Sequence, residues 1–397
     1  MSRLVFPRRQ FLPAGLLVAG LVVAFVVTPR LRDGVAIAVA VVIAAASVAV
    51  LVMPNVRQAH PVIARALLTL VALDATLLLT FFLSATTDFN LAVGAAMSIV
   101  LLGLSFLTGA SGQISLGNSA FMGVGALVVA MWADHHATTP IVVTILIAVA
   151  CGAAVGLLLG LPATRLRGPY LAGMTLAFVV AFPALDNLFS SWTGGDAGLE
   201  LPTPVTSPHW LAGYFSANTS SFTLGTIWMT DMTVIITAVA FFLMANLFAS
   251  RAGRAMRLIR DNDVAAELVG VSLPRARVLA FIVSAAYAAL GGALWTLINN
   301  SVSPPTYTLA LSITILSLMV IGGIGTIPGA IFGGVIYAYS TNVITWFTSH
   351  VGIGSQSNLA SQMPGIVFGA LLILTMLFAP RGLTGALHRL REWRRDR

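Results

Sequence analysis

One polar run interrupts a chain that is otherwise dominated by apolar stretches: Gly109-Ala110-Ser111-Gly112-Gln113-Ile114-Ser115-Leu116-Gly117-Asn118-Ser119. It holds three glycines and five hydroxyl or amide side chains. A continuous lipid-facing helix would not tolerate such a run. Non-helical backbone at membrane depth survives only under protein cover or beside a wet cavity. Two readings fit. One is a broken helix beside a translocation path, with Ser111, Gly112, Gln113, Ser115 and Asn118 along it. The other is an ordinary loop between spans at the membrane surface.

A second feature is the basic segment 250–277, SRAGRAMRLIRDNDVAAELVGVSLPRAR. Asp263 is placed to cap a short helix starting at Val264 and ending near Gly270. Ala265, Ala266 and Gly270 give the spacing A-A-x-x-x-G. Arg260, Asp261, Asn262, Arg275 and Arg277 flank it. An isolated helix this short is marginal. A partner with a groove would stabilise it. The alternative is a solvated basic loop near anionic lipid.

Other ionisable groups are few. Asp74 lies near the middle of the apolar run 62–84, where a charged Asp costs about 2.5–3.5 kcal/mol. No second carboxylate or lysine accompanies it within the apolar runs. That favours a protonated or hydrogen-bonded structural group over a proton or cation carrier. Asp186 and Asp231 sit near the outer ends of their runs and are expected to be solvated. Cys151 is the single cysteine, so no disulfide framework follows. His135 and His136 point about 100° apart on a helix, which disfavours a shared ligand role. No P-loop, catalytic triad or metal cluster is visible, and no cofactor is expected.

The elements that must position these residues follow from composition. Of 397 residues, 58% are hydrophobic and 9% charged. Soluble domains carry roughly 25% charged residues. With a mean hydropathy of +0.95, a soluble enzyme, a disordered chain and a nucleic-acid binder are excluded. The continuous apolar runs also exclude an outer-membrane barrel. The fold class is therefore an all-α polytopic membrane protein. Apolar runs fall at 12–28, 35–53, 62–84, 91–108, 117–133, 141–161, 169–190, 229–249, 278–298, 309–322, 327–346 and 360–379. Several are short or glycine-rich, so ten to twelve transmembrane helices with broken or re-entrant segments are expected. Gly152, Gly156 and Gly160, and likewise Gly325, Gly329 and Gly333, recur every four residues. That spacing lines one helix face for close packing.

All 21 basic residues are arginine, and the net charge is +8. The arginines cluster before the first run, at 57–65, at 165–167, at 251–277 and in the tail from 381. In a twelve-span arrangement these five groups share one side, which the positive-inside rule makes the cytoplasm. Both termini lie there. Arg30 and Arg32 are the exception. The run 12–28 reads as a retained helix rather than a cleaved signal. A long outer loop at 191–228 carries Trp192, Trp210 and Trp228, suited to an interface.

The segment 261–270 resembles the coupling segment of ABC importer permeases, whose pattern is E-A-A-x-x-x-G. Here Val264 stands at the glutamate position. The chain is similar to the second permease subunit of the branched-chain amino acid ABC transporter family. The resemblance also rests on Leu166-Arg167-Gly168-Pro169-Tyr170-Leu171 and Thr193-Gly194-Gly195-Asp196-Ala197-Gly198-Leu199. Gly322-Gly323-Ile324-Gly325-Thr326-Ile327-Pro328-Gly329, Leu377-Phe378-Ala379-Pro380-Arg381-Gly382-Leu383 and the stretch Ser111 to Gly125 complete it. It covers about 90–385. Residues 1–60 would be extra N-terminal helices, 61–385 the permease core and 386–397 a basic cytoplasmic tail.

The resemblance implies a translocation subunit in a bacterial inner membrane and not an enzyme. It implies a homologous permease subunit, two cytosolic ATPases, an external solute-binding protein and membrane lipid as partners. No nucleic-acid partner is implied. Arg260, Asp261, Asn262, Asp263, Ala265, Ala266 and Gly270 would couple to an ATPase. Branched-chain or other hydrophobic amino acids are the implied solutes, with urea or a short amide as the alternative. An ion-coupled secondary transporter would favour paired intramembrane carboxylates and inverted repeats, which are not evident.

Overall fold

The computed structural model describes residues 85–136, 139–166, 168–201 and 221–351, with scattered positions in 62–76 and 368–385. The apolar runs 12–28 and 35–53, Asp74 and most of 360–379 lie outside the described residues. The chain divides into two compact units, Met1–Asp88 with Thr206–Asn246, and Phe89–Val205 with Leu247–Arg397.

The helices, in chain order, are α1 (Ala85–Ser105), α2 (Asn118–His135), α3 (Ile141–Ala163) and α4 (Pro169–Leu188). They continue with α5 (Ser221–Ala249), α6 (Arg251–Asp261), α7 (Asp263–Leu268), α8 (Leu273–Asn299), α9 (Leu309–Gly322) and α10 (Ile327–Val351). Two short strands, β1 (Leu199–Glu200) and β2 (Ser301–Val302), pair antiparallel. Among the described residues, five stretches are long and apolar enough to cross a membrane: Thr86–Ala110, Ile141–Ala163, Pro169–Leu188, Ile227–Ala249 and Leu273–Asn299. The chain is a multi-pass α-helical membrane protein. The run 309–322 is a helix over those residues, but at 14 residues it is too short to span alone.

In the first unit, Arg65 donates through Nη1 to the Ala245 carbonyl (3.1 Å) and to Asn246 Oδ1 (2.9 Å). Ala66 packs against Phe242 beside it. The Thr230 hydroxyl donates to the Asp88 carbonyl.

In the second unit, α8 packs most extensively against α3 and α2. Small residues permit this. Gly152, Gly156 and Gly160 of α3 face Ala289, Ala285, Phe281 and Val278 of α8, where an added Cβ would collide or crowd. The four-residue spacing therefore serves packing, as expected. The second glycine row behaves differently. Gly325 precedes α10 and has φ +72°, so it cannot share a helix face with Gly329 and Gly333. The expectation of one face for all three is corrected: Gly325, the first of them, sits in the turn between α9 and α10. Helix α2 is wrapped by protein, with most of its first three turns buried. A helix apolar all round belongs in a bundle interior.

Asp186 is corrected too. It is 5% exposed near the end of α4 rather than solvated. A 3-10 turn at Gly195–Ala197, with positive φ at Gly194, Gly195 and Gly198, folds over that end. The hydroxyl of Thr193 bonds the Asp186 carbonyl.

Candidate coupling segment and polar break

After Ser105, α1 widens into a π-helical turn, Phe106–Ala110. Such turns are rare and cluster at functional sites. The Ser111 hydroxyl donates back to the Leu107 carbonyl (2.6 Å), and Gly112 ends the turn with φ +72°. The polar run is thus a genuine break before α2. Several of its backbone N–H groups are satisfied by neighbours, as burial requires. Leu116 N–H donates to Thr175 Oγ1 on α4 (3.0 Å), and Gly117 N–H to Ser115 Oγ (3.1 Å). Ser119 bonds Ser312 of α9 through its N–H (3.1 Å) and its hydroxyl (2.7 Å). Ser115 and Asn118 are 1% exposed, and Gln113 7%. The amide atoms of Gln113 and Asn118 bond no protein group among the described residues.

Two of the recurrent sequence patterns close on this break. A Cβ on Gly109 would overlap the Gly325 backbone, Gly325 is held at φ +72°, and Gly325 N–H donates to Ser105 Oγ (3.0 Å). Gly382 lies against Gly323, and Thr384 Oγ1 is 3.3 Å from Thr326 Oγ1. The 322–329 and 377–383 patterns therefore meet at the end of α9.

The basic segment is built from helix ends. Ser250 caps α6 by accepting from Gly253 N–H (3.3 Å). Arg254 donates to the Ala249 carbonyl (2.7 Å) and Arg257 to the Phe248 carbonyl (3.0 Å). Both occupy carbonyls that the end of α5 leaves open. Met256 and Ile259 turn inward.

The cap of α7 is Asn262, whose Oδ1 accepts from Val264 N–H (3.0 Å) and Ala265 N–H (3.1 Å). The expected cap, Asp263, is instead the first helical residue. Its carboxylate takes Arg277 Nη2 at 2.7 Å. Asn and Asp cap almost equally well, and the nearby guanidinium decides between them.

Helix α7 ends in a Schellman motif. Gly270 N–H bonds the Glu267 carbonyl and Val271 N–H the Ala266 carbonyl, with Gly270 at φ +81°. Ala266 is fully buried with Ile259 and Leu273 beneath the helix, and Val271 packs on that cluster. The small residues of A-A-x-x-x-G thus face inward or turn the chain. Gly270 has open space around it. The outward side is made of Val264, Leu268 and Val269, exposed by 67%, 84% and 67%. Sequence reasoning missed this apolar face, although Val264 and Leu268 are four residues apart and share a helix side.

The two predicted constellations adjoin. A cavity of about 460 Å³ is lined by Ser111, Gly112 and Gln113 of the break and by Arg260, Asp261, Asn262 and Asp263 of the basic segment. Leu166 and Gly168, just before α4, and Leu171 in its first turn also line it. Ser115 and Asn118 lie deeper and do not line it.

The description "Branched-chain amino acid transport system / permease component" matches residues 86–376, and the chain belongs to that family. It is 29% identical over 299 residues to the high-affinity branched-chain amino acid transport system permease protein LivM of Escherichia coli (strain K12), covering 72% of this chain and 67% of that protein. It is 30% identical over 201 residues to the LivH permease protein of the same organism, covering 50% of this chain and 59% of LivH. It is 31% identical over 182 residues to the BraD permease protein of Pseudomonas aeruginosa, covering 45% and 55%. No solved structure matches the chain.

Proposed function

We propose that the chain is the membrane subunit of an ATP-driven importer for branched-chain or related hydrophobic amino acids. It sits in a bacterial inner membrane with both termini cytoplasmic, beside a homologous permease subunit. Two cytosolic ATPases and an external solute-binding protein complete the complex. The observation that carries this reading is helix α7. It is a capped six-residue helix outside the apolar spans, with an exposed Val264–Leu268–Val269 face. Exposed apolar surface on so short a helix marks a docking element. The face fits a groove of one ATPase, while Ala266 packs the helix against α6 and α8 and Gly270 turns the chain.

The polar break serves the path. The amides of Gln113 and Asn118 offer donors and acceptors to water or to the solute's polar end when the subunits move apart. Binding and release of ATP would drive alternating access, with α7 moving as a lever. Hydrolysis belongs to the partner ATPases.

The test is radiolabelled uptake by the reconstituted complex, competed with leucine, isoleucine, valine and urea. ATP-dependent uptake competed by the branched-chain amino acids is the expected result. Competition by urea alone would reassign the solute. Failure of the chain to co-purify with ATPases would overturn the importer reading.

A further inference from the structure

Resting on that reading, we propose that Arg260 is the positioning residue that ties the coupling segment to the polar break and carries movement between them. Arg260 is the penultimate residue of α6, two residues before the α6–α7 junction at Asn262. Its Nη1 donates to the Gly109 carbonyl at 2.6 Å, across 151 residues of sequence. Its aliphatic stem lies on Gly112, where an added Cβ would fall 2.8 Å from Arg260 Cγ. Arg260 thus grips both the end of the π-helical turn and the residue that terminates it.

The grip is oriented by Asp261. Its Oδ1 accepts from Arg260 Nε at 3.1 Å and from Nη2 at 3.0 Å, which leaves Nη1 aimed at Gly109. Both side chains are substantially solvent-exposed, so the pair contributes little to stability. Its effect is directional. Of the four arginines with assigned bonds in this segment, Arg254 and Arg257 reach back to the adjacent end of α5, and Arg277 holds Asp263. Arg260 crosses to the break.

What lies beyond Gly109 makes the contact consequential. Gly109 abuts Gly325, whose N–H is held by Ser105. A displacement of the α6–α7 corner therefore bears on the point where the 105–112 and 322–329 segments touch. A π-helical turn is a place where a helix can change register locally.

The test uses the complete importer in lipid vesicles, with Ser115→Cys as probe in a Cys151→Ala background. Arg260→Gln is expected to leave the ATPases co-purifying. Uptake per assembled complex should fall about tenfold or more, within the usual range of coupling between sites. The nucleotide-dependent change in labelling of the probe should disappear. Arg260→Lys keeps the charge without the fork and is expected to retain part of both. Asp261→Ala removes only an exposed orienting group, so it folds, and should blunt the nucleotide response severalfold.

Wild-type uptake and labelling response in Arg260→Gln or Asp261→Ala would overturn the proposal. So would loss of uptake that merely follows loss of bound ATPase, since Arg260 would then be a docking residue. If the importer reading itself fails, the unmodified chain neither holds ATPases nor takes up solute with ATP.

Discussion

Arg277, near the start of α8, holds the carboxylate of Asp263, the first residue of α7, at 2.7 Å. One residue earlier, Asn262 caps the same helix. The six-residue α7 is therefore fixed at its beginning by a charge-assisted bond to a long helix of the bundle. Any push on α7 is delivered to α8, which packs along both α2 and α3.

Breaking that bond should loosen α7 before it unfolds the bundle. The Arg277 side chain is 10% exposed and that of Asp263 35%. Asp263→Ala leaves the Arg277 guanidinium without its carboxylate and is expected to cost about 3 kcal/mol, the low end for a broken buried pair, because Asp263 lies at the solvent edge and its loss lets water in. Thermal unfolding of the purified complex, together with hydrogen exchange of the α7 amides, measures it. Faster exchange confined to 263–271 is expected.

The cap gives a finer contrast. Asn262→Ala removes the acceptor for two amide donors and should destabilise α7 by about 1 kcal/mol. Asn262→Asp and Asn262→Ser restore an acceptor and should recover most of it. Uptake should follow the same order. Equal uptake in all three would mean that α7 is held by its partner rather than by its cap.

Much of this was legible in the sequence, because it depends on neighbours along the chain. The run at 309–322 is a helix over those residues, bounded by Thr308 and by Gly323 at φ +123°. The break at 109–118 and the stop at Gly270 were visible as glycines among polar residues. What was hidden depends on distance in sequence. Nothing near Asp263 announces that Arg277 will take its carboxylate. Nothing near Gly325 announces that it must leave the helix to meet Gly109. Asp186 ends an apolar run, which by itself predicts solvation, but the 194–198 turn folds over it. The A-A-x-x-x-G spacing does not tell which side of the helix Ala266 takes. Its inward position follows from Ile259 and Leu273, which only the fold brings beneath it.

The two sides of α7 should respond to different substitutions. Leu268→Glu places a charge on an exposed apolar face and should leave the permease folded while ATPase co-purification falls by about tenfold or more. One desolvated, unpaired charge at an interface costs several kcal/mol. Ala266→Leu instead overfills a closed cluster, at about 1–3 kcal/mol. It should lower the unfolding temperature of the permease itself. The reverse pattern would assign docking to the small residues.

Gly270 separates a backbone role from a contact role. Its φ of +81° is costly for residues with a Cβ, at about 1–2 kcal/mol, and Asn bears it best. No atom lies where its Cβ would point. Gly270→Asn should therefore transport nearly as well as wild type and Gly270→Val clearly worse, with uptake ranked by backbone tolerance rather than by size. Equal, complete loss in both would mean that an ATPase occupies the space in front of Gly270.

The last prediction concerns whether the polar break opens. Ser115 is 1% exposed, and its hydroxyl accepts from Gly117 N–H inside the break. Ser115→Cys preserves size and a weak acceptor, so folding should survive. Cys151 is the single native cysteine and must first be replaced by Ala. In this conformation a small water-soluble thiol reagent cannot reach position 115, so labelling requires movement. If the break lines the path, the engineered thiol should react in at least one nucleotide state, and added solute should change the rate. Asn118→Cys, next along the break and equally buried, should follow the same dependence. A Cys at exposed Leu268 should label in the isolated chain and be shielded when an ATPase binds, which controls for reagent access. Protection of positions 115 and 118 in every nucleotide state would make the break a sealed packing element, and the solute path would have to lie elsewhere.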